Sequence, residues 1–285
     1  MVLFVAIWAF TANWLAYNKG IYHLPKIAKK SIPRVTFLHI LASFGLYLAF
    51  SFLLAPIIVK GVKWLVLQNN PSLTSLPIPY LIGLQAIFMT IVFLLAALCL
   101  YEIDGKVFRK IWKDKTHPHA YPIGFDFGLG VLLWFLSFPL VTILSEVSDF
   151  IIEAFFGVHS YEQAAVRFFK AAVSAPSSLI FAFLSLLILA PLTEELLFRG
   201  VLQTFLKRHL GVKAAIALSA LSFALFHYSP SQGLGNITLI TSFILLGGFL
   251  GFVYERQGSL WASIGLHMTF NGVSAIRILV SPELQ

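Results

Sequence analysis

Eight long apolar runs follow one another along this chain, at about 1–17, 35–59, 79–101, 124–145, 176–197, 213–229, 236–254 and 258–280. A helix of about 20 apolar residues crosses the roughly 30 Å hydrocarbon layer of a bilayer. In lipid every backbone N–H and C=O must be satisfied within the segment, so such runs can only be helices. The chain is therefore expected to be all-α, a polytopic transmembrane helical bundle of about eight spans. Composition agrees: 59% of the 285 residues are hydrophobic and 11% charged, against about 25% charged in soluble domains.

The net charge of +8 does not point to nucleic acid, because the basic residues cluster in short connections between apolar runs. There they set membrane orientation. One connection, 18–34, holds Lys19, Lys26, Lys29, Lys30 and Arg34. A second, 102–123, holds Lys106, Arg109, Lys110, Lys113 and Lys115, and the turn near 207–213 holds Lys207, Arg208 and Lys213. The alternation places these loops in the cytoplasm and both termini outside. The N-terminal run lacks a basic leader and a small-residue cleavage site, so it is expected to be a first span rather than a signal peptide. Cys99 is the only cysteine, which excludes an intrachain disulfide. The connection 146–175, with Glu146, Asp149, Glu153, Tyr161 and Glu162, contains amphipathic stretches and reads either as a surface-lying helix or as an exposed loop.

Two regions differ in character. Residues 1–123 are generic apolar spans. Residues 124–285 form a second membrane region, and from about 176 onward ionisable residues enter the apolar runs. A charge at mid-bilayer costs at least about 2.5–3.5 kcal/mol, so such residues are functional candidates by default. Glu194 and Glu195 are adjacent and point about 100° apart around a helix. Glu195 and Arg199 are spaced i,i+4 with the acid first, the favourable order for a helical ion pair. That pairing would leave Glu194 as the carboxylate free to act as a general base. Pro191 is expected to kink or restart the helix just before it.

The second element is Phe223-Ala-Leu-Phe-His227. With the basic turn near 210 as the tip of a helical hairpin, Glu194 and His227 both lie about 25 Å from it at 1.5 Å per residue, hence at one depth on neighbouring helices. The third is His267-Met-Thr-Phe-Asn271, whose two polar residues share one helix face. Each element alone has a plain structural explanation: a charged helix end, a lone histidine, an interhelical hydrogen bond. Together they supply a base, a water-orienting group and donors for an oxyanion, a set suited to amide hydrolysis through an activated water. Ser222 and Ser229 flank His227 without any spacing that marks a nucleophile. Gly247, Gly248 and Gly251 read as a packing face, and Trp261 as an interfacial anchor.

Glu-Glu-x-x-x-Arg at 194–199, Phe-x-x-x-His at 223–227 and His-x-x-x-Asn at 267–271 resemble, in order and approximate spacing, the motifs of one family. That family comprises the CAAX proteases and bacteriocin-processing membrane enzymes, which include the type II CAAX prenyl endopeptidases and lysostaphin-resistance-like proteins. The resemblance covers roughly 176–280, which marks 124–285 as a CAAX-protease-like catalytic membrane domain. It implies Glu194 as the catalytic glutamate, His227 as its partner in activating water, and His267 and Asn271 as the oxyanion-holding residues. Glu195, Arg199 and Phe223 take supporting places. The implied activity is an intramembrane endopeptidase, glutamic or metallo-, acting on a membrane-associated and possibly prenylated peptide or protein, with membrane lipid as its surroundings. The family has been described both with and without a metal. Glu194, His227 and His267 are the residues that would ligate Zn2+, but no His-Glu-x-x-His spacing is present, and the metal-free route is favoured. The expected site opens to the cytoplasm. The alternatives are a non-catalytic membrane factor, such as a bacteriocin immunity protein, and a proton-coupled transporter, against which stands the lack of an inverted repeat.

Overall fold

The structure is a computed structural model and describes residues 2–157 and 164–280, with side chains from Val5. The described residues are helical along most of their length: α1 (Val2–Asn18), α2 (Phe37–Asn69), α3 (Ile78–Trp112), α4 (Ile123–Phe156), α5 (Ala164–Val173), α6 (Pro176–Leu210), α7 (Val212–Phe226), α8 (Gly235–Gln257) and α9 (Leu260–Val280). Six of these, α2, α3, α4, α6, α8 and α9, are long and apolar enough to cross a membrane. With the shorter α1 and α7 they make a polytopic bundle of about eight spans, as the apolar runs required.

The expectations for two connections need correction. α4 continues to Phe156, so Glu146, Asp149 and Glu153 ride on a helix rather than in a loop; the Thr238 hydroxyl donates to Asp149 Oδ1 at 2.6 Å. α5 is a short amphipathic helix within the same connection, and one of its faces packs on the bundle. Its Phe169 and Ala172 are fully buried against Ile82 of α3, Ala182 of α6 and Ala275 and Ile278 of α9. Tyr161 and Glu162 lie outside the described residues. The basic connection after α3 is itself largely helical. Asp104 has extended backbone (φ −159°, ψ 95°), and its Oδ1 accepts from the N–H groups of Lys106 and Val107. It thus caps a fresh helical start as an N-cap carboxylate does.

α6 lies at the centre of the bundle. Leu197 and Phe198 join Phe223 of α7, Leu246 and Leu250 of α8 and Leu266 of α9 in one apolar cluster; Leu196 and Val201 join Leu100 and Ile111 of α3 and Leu260 and Ile264 of α9 in another. α9 reaches α4 at backbone distance. A Cβ on Gly130 would fall 2.1 Å from the Ala262 carbonyl oxygen, and one on Gly265 would fall 2.4 Å from that of Phe127. Small residues permit such close crossing in a medium where packing replaces the hydrophobic drive between helices.

α6 is not a uniform α-helix. Leu184–Leu189 and Leu196–Gln203 are wound in wider, i→i+5 turns, a form that recurs at functional sites. Helical winding continues through Pro191 instead of restarting there. In a wide turn residue 191 would donate to the carbonyl of residue 186, but proline has no N–H to give. The Leu186 oxygen receives the Asn271 amide instead, at 2.9 Å. Along one side of α6 runs a column of buried polar residues: Glu195, Arg199, Gln203 and Lys207. Each of the last three reaches α8. Arg199 Nη2 donates to the Gly247 carbonyl at 3.3 Å, Gln203 Nε2 to the Gly251 carbonyl and to Glu255 Oε1, both at 3.0 Å, and Lys207 Nζ to Glu255 Oε2 at 2.8 Å. Gly247 and Gly251 are packing glycines as expected, whereas a Cβ on Gly248 would meet nothing within 4 Å.

Candidate active site

Depth is set first by the length of α7. Its 15 residues span only about 22 Å, short of the roughly 30 Å of hydrocarbon, so the chain leaves helical form part-way along the bundle. His227 occupies that point with φ −92° and ψ 0°, the sparsely populated bridge region in which many active-site residues sit. Backbone that is not helical at this depth must be satisfied by the protein. Asn236 does so: its Oδ1 accepts the Ser229 N–H at 3.0 Å, and its Nδ2 donates to the carbonyls of Ser229 at 2.8 Å and Gly233 at 2.9 Å.

Glu194, His227 and His267 come together. Glu194 Oε2 lies 3.6 Å from His227 Nε2 and 3.8 Å from His267 Nε2. That oxygen is buried and has no hydrogen-bond partner within the chain. The side chains are not sealed off, with 14% of Glu194 and 26% of His227 exposed. Both imidazoles are held from behind. His227 Nδ1 donates to the Phe223 carbonyl at 2.8 Å, and His267 Nδ1 donates to Glu195 Oε1 at 2.9 Å. A carbonyl or carboxylate oxygen can only accept, so each Nδ1 carries a proton and each Nε2 is turned toward Glu194. Such partners fix both the orientation and the tautomer of a working histidine.

Behind this cluster sits a second carboxylate in a different state. Arg199 Nη1 donates to Glu195 Oε1 at 3.0 Å, and both side chains are fully buried. The guanidinium lies 4.4 Å from the Phe223 ring centroid, a cation–π contact. Phe223 also packs its ring 4.7 Å from that of His227 and edge-on to that of His267 at 5.8 Å. It therefore acts as a spacer common to Arg199 and the two histidines. Glu195 is neutralised by its arginine, while Glu194 faces only imidazoles. Two adjacent carboxylates are thus set to different tasks by the helix faces they occupy.

Asn271 stands one turn beyond His267 but spends one of its two N–H groups on the Leu186 carbonyl. Tyr47 of α2, ring-packed on Phe226 at 5.1 Å, lies within electrostatic range of Glu194. A lone tyrosine in an apolar run carries no sequence signal, and neither do Gly130 and Gly265, whose crossing places His267. Glu255, at the end of an apolar run, was visible as a charge, but its partners Gln203 and Lys207 were not. Glu194, His227 and His267 remain the residues that would hold a divalent ion. Among the described residues, however, no group of three His, Cys, Asp or Glu side chains is arranged to hold one.

Fold and site together define a polytopic membrane protein with a Glu–His–His cluster inside its bundle. The family model described as type II CAAX prenyl endopeptidase Rce1-like matches residues 176–273, which contain all three motifs. A protein of Bacillus subtilis (strain 168) described as the uncharacterized protein YpbD is 30% identical over 148 residues, which are 52% of this chain and 69% of that protein. No solved structure gives a significant match. The chain belongs to the type II CAAX prenyl endopeptidase, Rce1-like, family, a family of membrane proteases.

Proposed function

We propose that this chain is an intramembrane endopeptidase that cleaves a peptide bond of a membrane-associated substrate with a water activated by Glu194 and His227. The observation that carries the reading is the unpartnered, buried Glu194 oxygen facing two imidazole Nε2 atoms at 3.6 and 3.8 Å. These separations are too long for direct hydrogen bonds and suit one bridging water. Glu194 takes a proton from that water as its oxygen attacks the scissile carbonyl carbon. The same carboxyl then gives the proton to the leaving amine nitrogen, and His227 Nε2 aligns the water. His267, held from behind through Nδ1 by Glu195, turns its Nε2 toward the place where the oxyanion develops. Asn271 holds α6 at its wide turn and so positions the base.

The reading extends to access and substrate. The 18–34 connection, the segment after α3 and the α8–α9 junction meet at one end of the bundle, through Arg256 Nε to the Ile21 carbonyl and the Asp114 N–H to the Gly258 carbonyl. That basic end is assigned to the cytoplasm, and the substrate enters from there to Glu194, 13 residues before Lys207 and so about 20 Å along α6. The substrate is a peptide or protein carrying a lipid or membrane anchor.

The test is cleavage of prenylated and membrane-anchored peptide libraries by purified protein, wild type against Glu194→Ala, with and without a chelator. Cleavage by wild type that vanishes in the variant supports the reading. Chelator-resistant cleavage supports the metal-free route, and chelator-sensitive cleavage assigns the water to a metal. Cleavage unchanged in Glu194→Ala sinks the assignment.

A further inference from the structure

The basic residues after Asp104 do more than mark an orientation. Lys106, Arg109 and Lys110 fall at i, i+3 and i+4, one stripe of the helical segment that ends α3, and Lys113 follows in extended backbone at its C-cap. Beneath that stripe lies an open groove of about 880 Å3 between α3, α6 and α9. The volume is within the roughly 300–1,000 Å3 occupied by small-molecule sites. Its floor is apolar: Phe93, Ala97, Phe108, Trp112, Leu192 and Trp261. Phe108 and Trp112 meet edge to face at 6.1 Å, and Trp112 and Trp261 lie 5.5 Å apart, giving a continuous aromatic wall.

The rim of the groove is cationic, and its charges are not all spent. Lys113 pairs with Asp126, and Lys110 with Asp114 at 3.5 Å. Exposed Lys106, Arg109 and Lys115 have no carboxylate partner among the described residues. The Trp112 Nε1–H is buried without a hydrogen-bond partner. An apolar floor inside the bundle, three cations on its rim that form no ion pair among the described residues and an unused N–H on Trp112 match a molecule with a hydrocarbon chain, an ester and a negative head.

We propose that this groove binds an anionic glycerophospholipid, with an acyl chain along the aromatic wall and the phosphate on Lys106, Arg109 and Lys115. Basic pockets between membrane helices recognise anionic headgroups in this manner. The site is separate from the Glu–His–His cluster, but Leu192 lies two residues before Glu194, and Trp261 lies six before His267. A lipid here touches α6 and α9, the helices that carry Glu194 and His267.

The experiment is lipid retention by purified full-length protein, read by native mass spectrometry after equilibration with equal phosphatidylglycerol and phosphatidylcholine. It needs no protease activity, so its failure is distinguishable from failure of the proposed function. Wild type is expected to retain phosphatidylglycerol preferentially. Each cation contributes about fivefold near a membrane surface, so Lys106→Gln, Arg109→Gln and Lys115→Gln together should lower that preference by about a hundredfold. Ala97→Trp, which fills the floor and leaves every charge in place, should lower retained phosphatidylglycerol about tenfold. Both variants are checked for an unchanged thermal midpoint. If Ala97→Trp retains lipid like wild type, the cations attract headgroups diffusely and the groove assignment is overturned. If the triple variant keeps its preference, the occupant is not chosen by charge. Displacement of the lipid by millimolar inorganic phosphate would equally overturn a lipid ligand in favour of a free anion.

Discussion

Replacing Gly265 by alanine should disturb the candidate site without touching any of its side chains. The added Cβ would stand 2.4 Å from the Phe127 carbonyl oxygen and 3.2 Å from the Phe127 carbonyl carbon and Cα. These are backbone atoms of α4, and no rotamer change can remove them. Carbon–oxygen contacts between helices settle at about 3.3–3.6 Å, so α9 must retreat by about 1 Å or tilt by an equivalent amount. Overpacking of this kind costs about 1–3 kcal/mol. His267 lies two residues further along α9, and its Nε2 stands 3.8 Å from Glu194 Oε2. A displacement of about 1 Å at a reacting centre is worth about a hundredfold in rate. The assay is denaturant unfolding in micelles together with kcat/KM on any substrate found by the library screen. Gly248→Ala is the matched control: nothing lies within 4 Å of its Cβ, and glycine to alanine in an open helix position is neutral or stabilising by up to about 1 kcal/mol. If Gly265→Ala unfolds and cleaves like wild type, the crossing is not as close as described and does not place His267.

Three further outcomes are expected. Arg199→Met strands the buried Glu195 carboxylate and should cost about 3–5 kcal/mol in unfolding, whereas adding Glu195→Gln should recover part of the loss; equal costs for the single and double variants would refute the pairing. Asn271→Leu leaves the Leu186 carbonyl unsatisfied and should cost about 1–3 kcal/mol, readable as a lowered thermal midpoint; a midpoint equal to wild type would refute that role. The third concerns pH. His117, in the connection between α3 and α4, accepts the His119 N–H at Nδ1 and donates from Nε2 to the Glu255 carbonyl, so the folded protein holds it neutral. Burial is the main cause that pushes its pKa below the usual 6.5, partly opposed by Asp114. The unfolded chain takes up the proton first, so stability present above pH ~6.5 is lost as pH falls toward the lowered folded value. Thermal midpoints between pH 8 and pH 5 should decline more steeply for wild type than for His117→Gln.

Much of this architecture was legible because apolar runs of membrane length admit few solutions. Each of the eight expected runs overlaps an observed helix, and the turn near 210 is the hairpin at Gly211, whose φ of +83° suits glycine. The meeting of Glu194 with His227 was readable from equal distances to that turn. What the sequence hid were features that depend on winding and crossing. A proline in an apolar run normally signals a kink, and nothing in its neighbours announces a wide turn repaired by an asparagine 80 residues later. Gly130 and Gly265 look like any other glycines until two backbones are brought together. The basic residues after Asp104 resembled a loop because charge density, not helix propensity, dominates such a stretch.

The wide turns of α6 have a consequence for how the chain tolerates change in length. On a regular α-helix, four-residue steps drift by about 40° each, so Glu195 and Lys207 would face directions about a third of a turn apart. Winding Leu196–Gln203 with i→i+5 bonds puts more residues in each turn and reduces that drift. The column from Glu195 to Lys207 can then stay against α8. The segment in effect holds spare chain, so it is the place where the helix can lose a residue without losing phase. Deleting one residue there would let the helix tighten, and Lys207 would then stand eleven steps of about 100° after Glu195, within about 20° of its direction and still on the side of Glu255. The same deletion in a regular α-helical stretch would turn everything beyond it by about 100°.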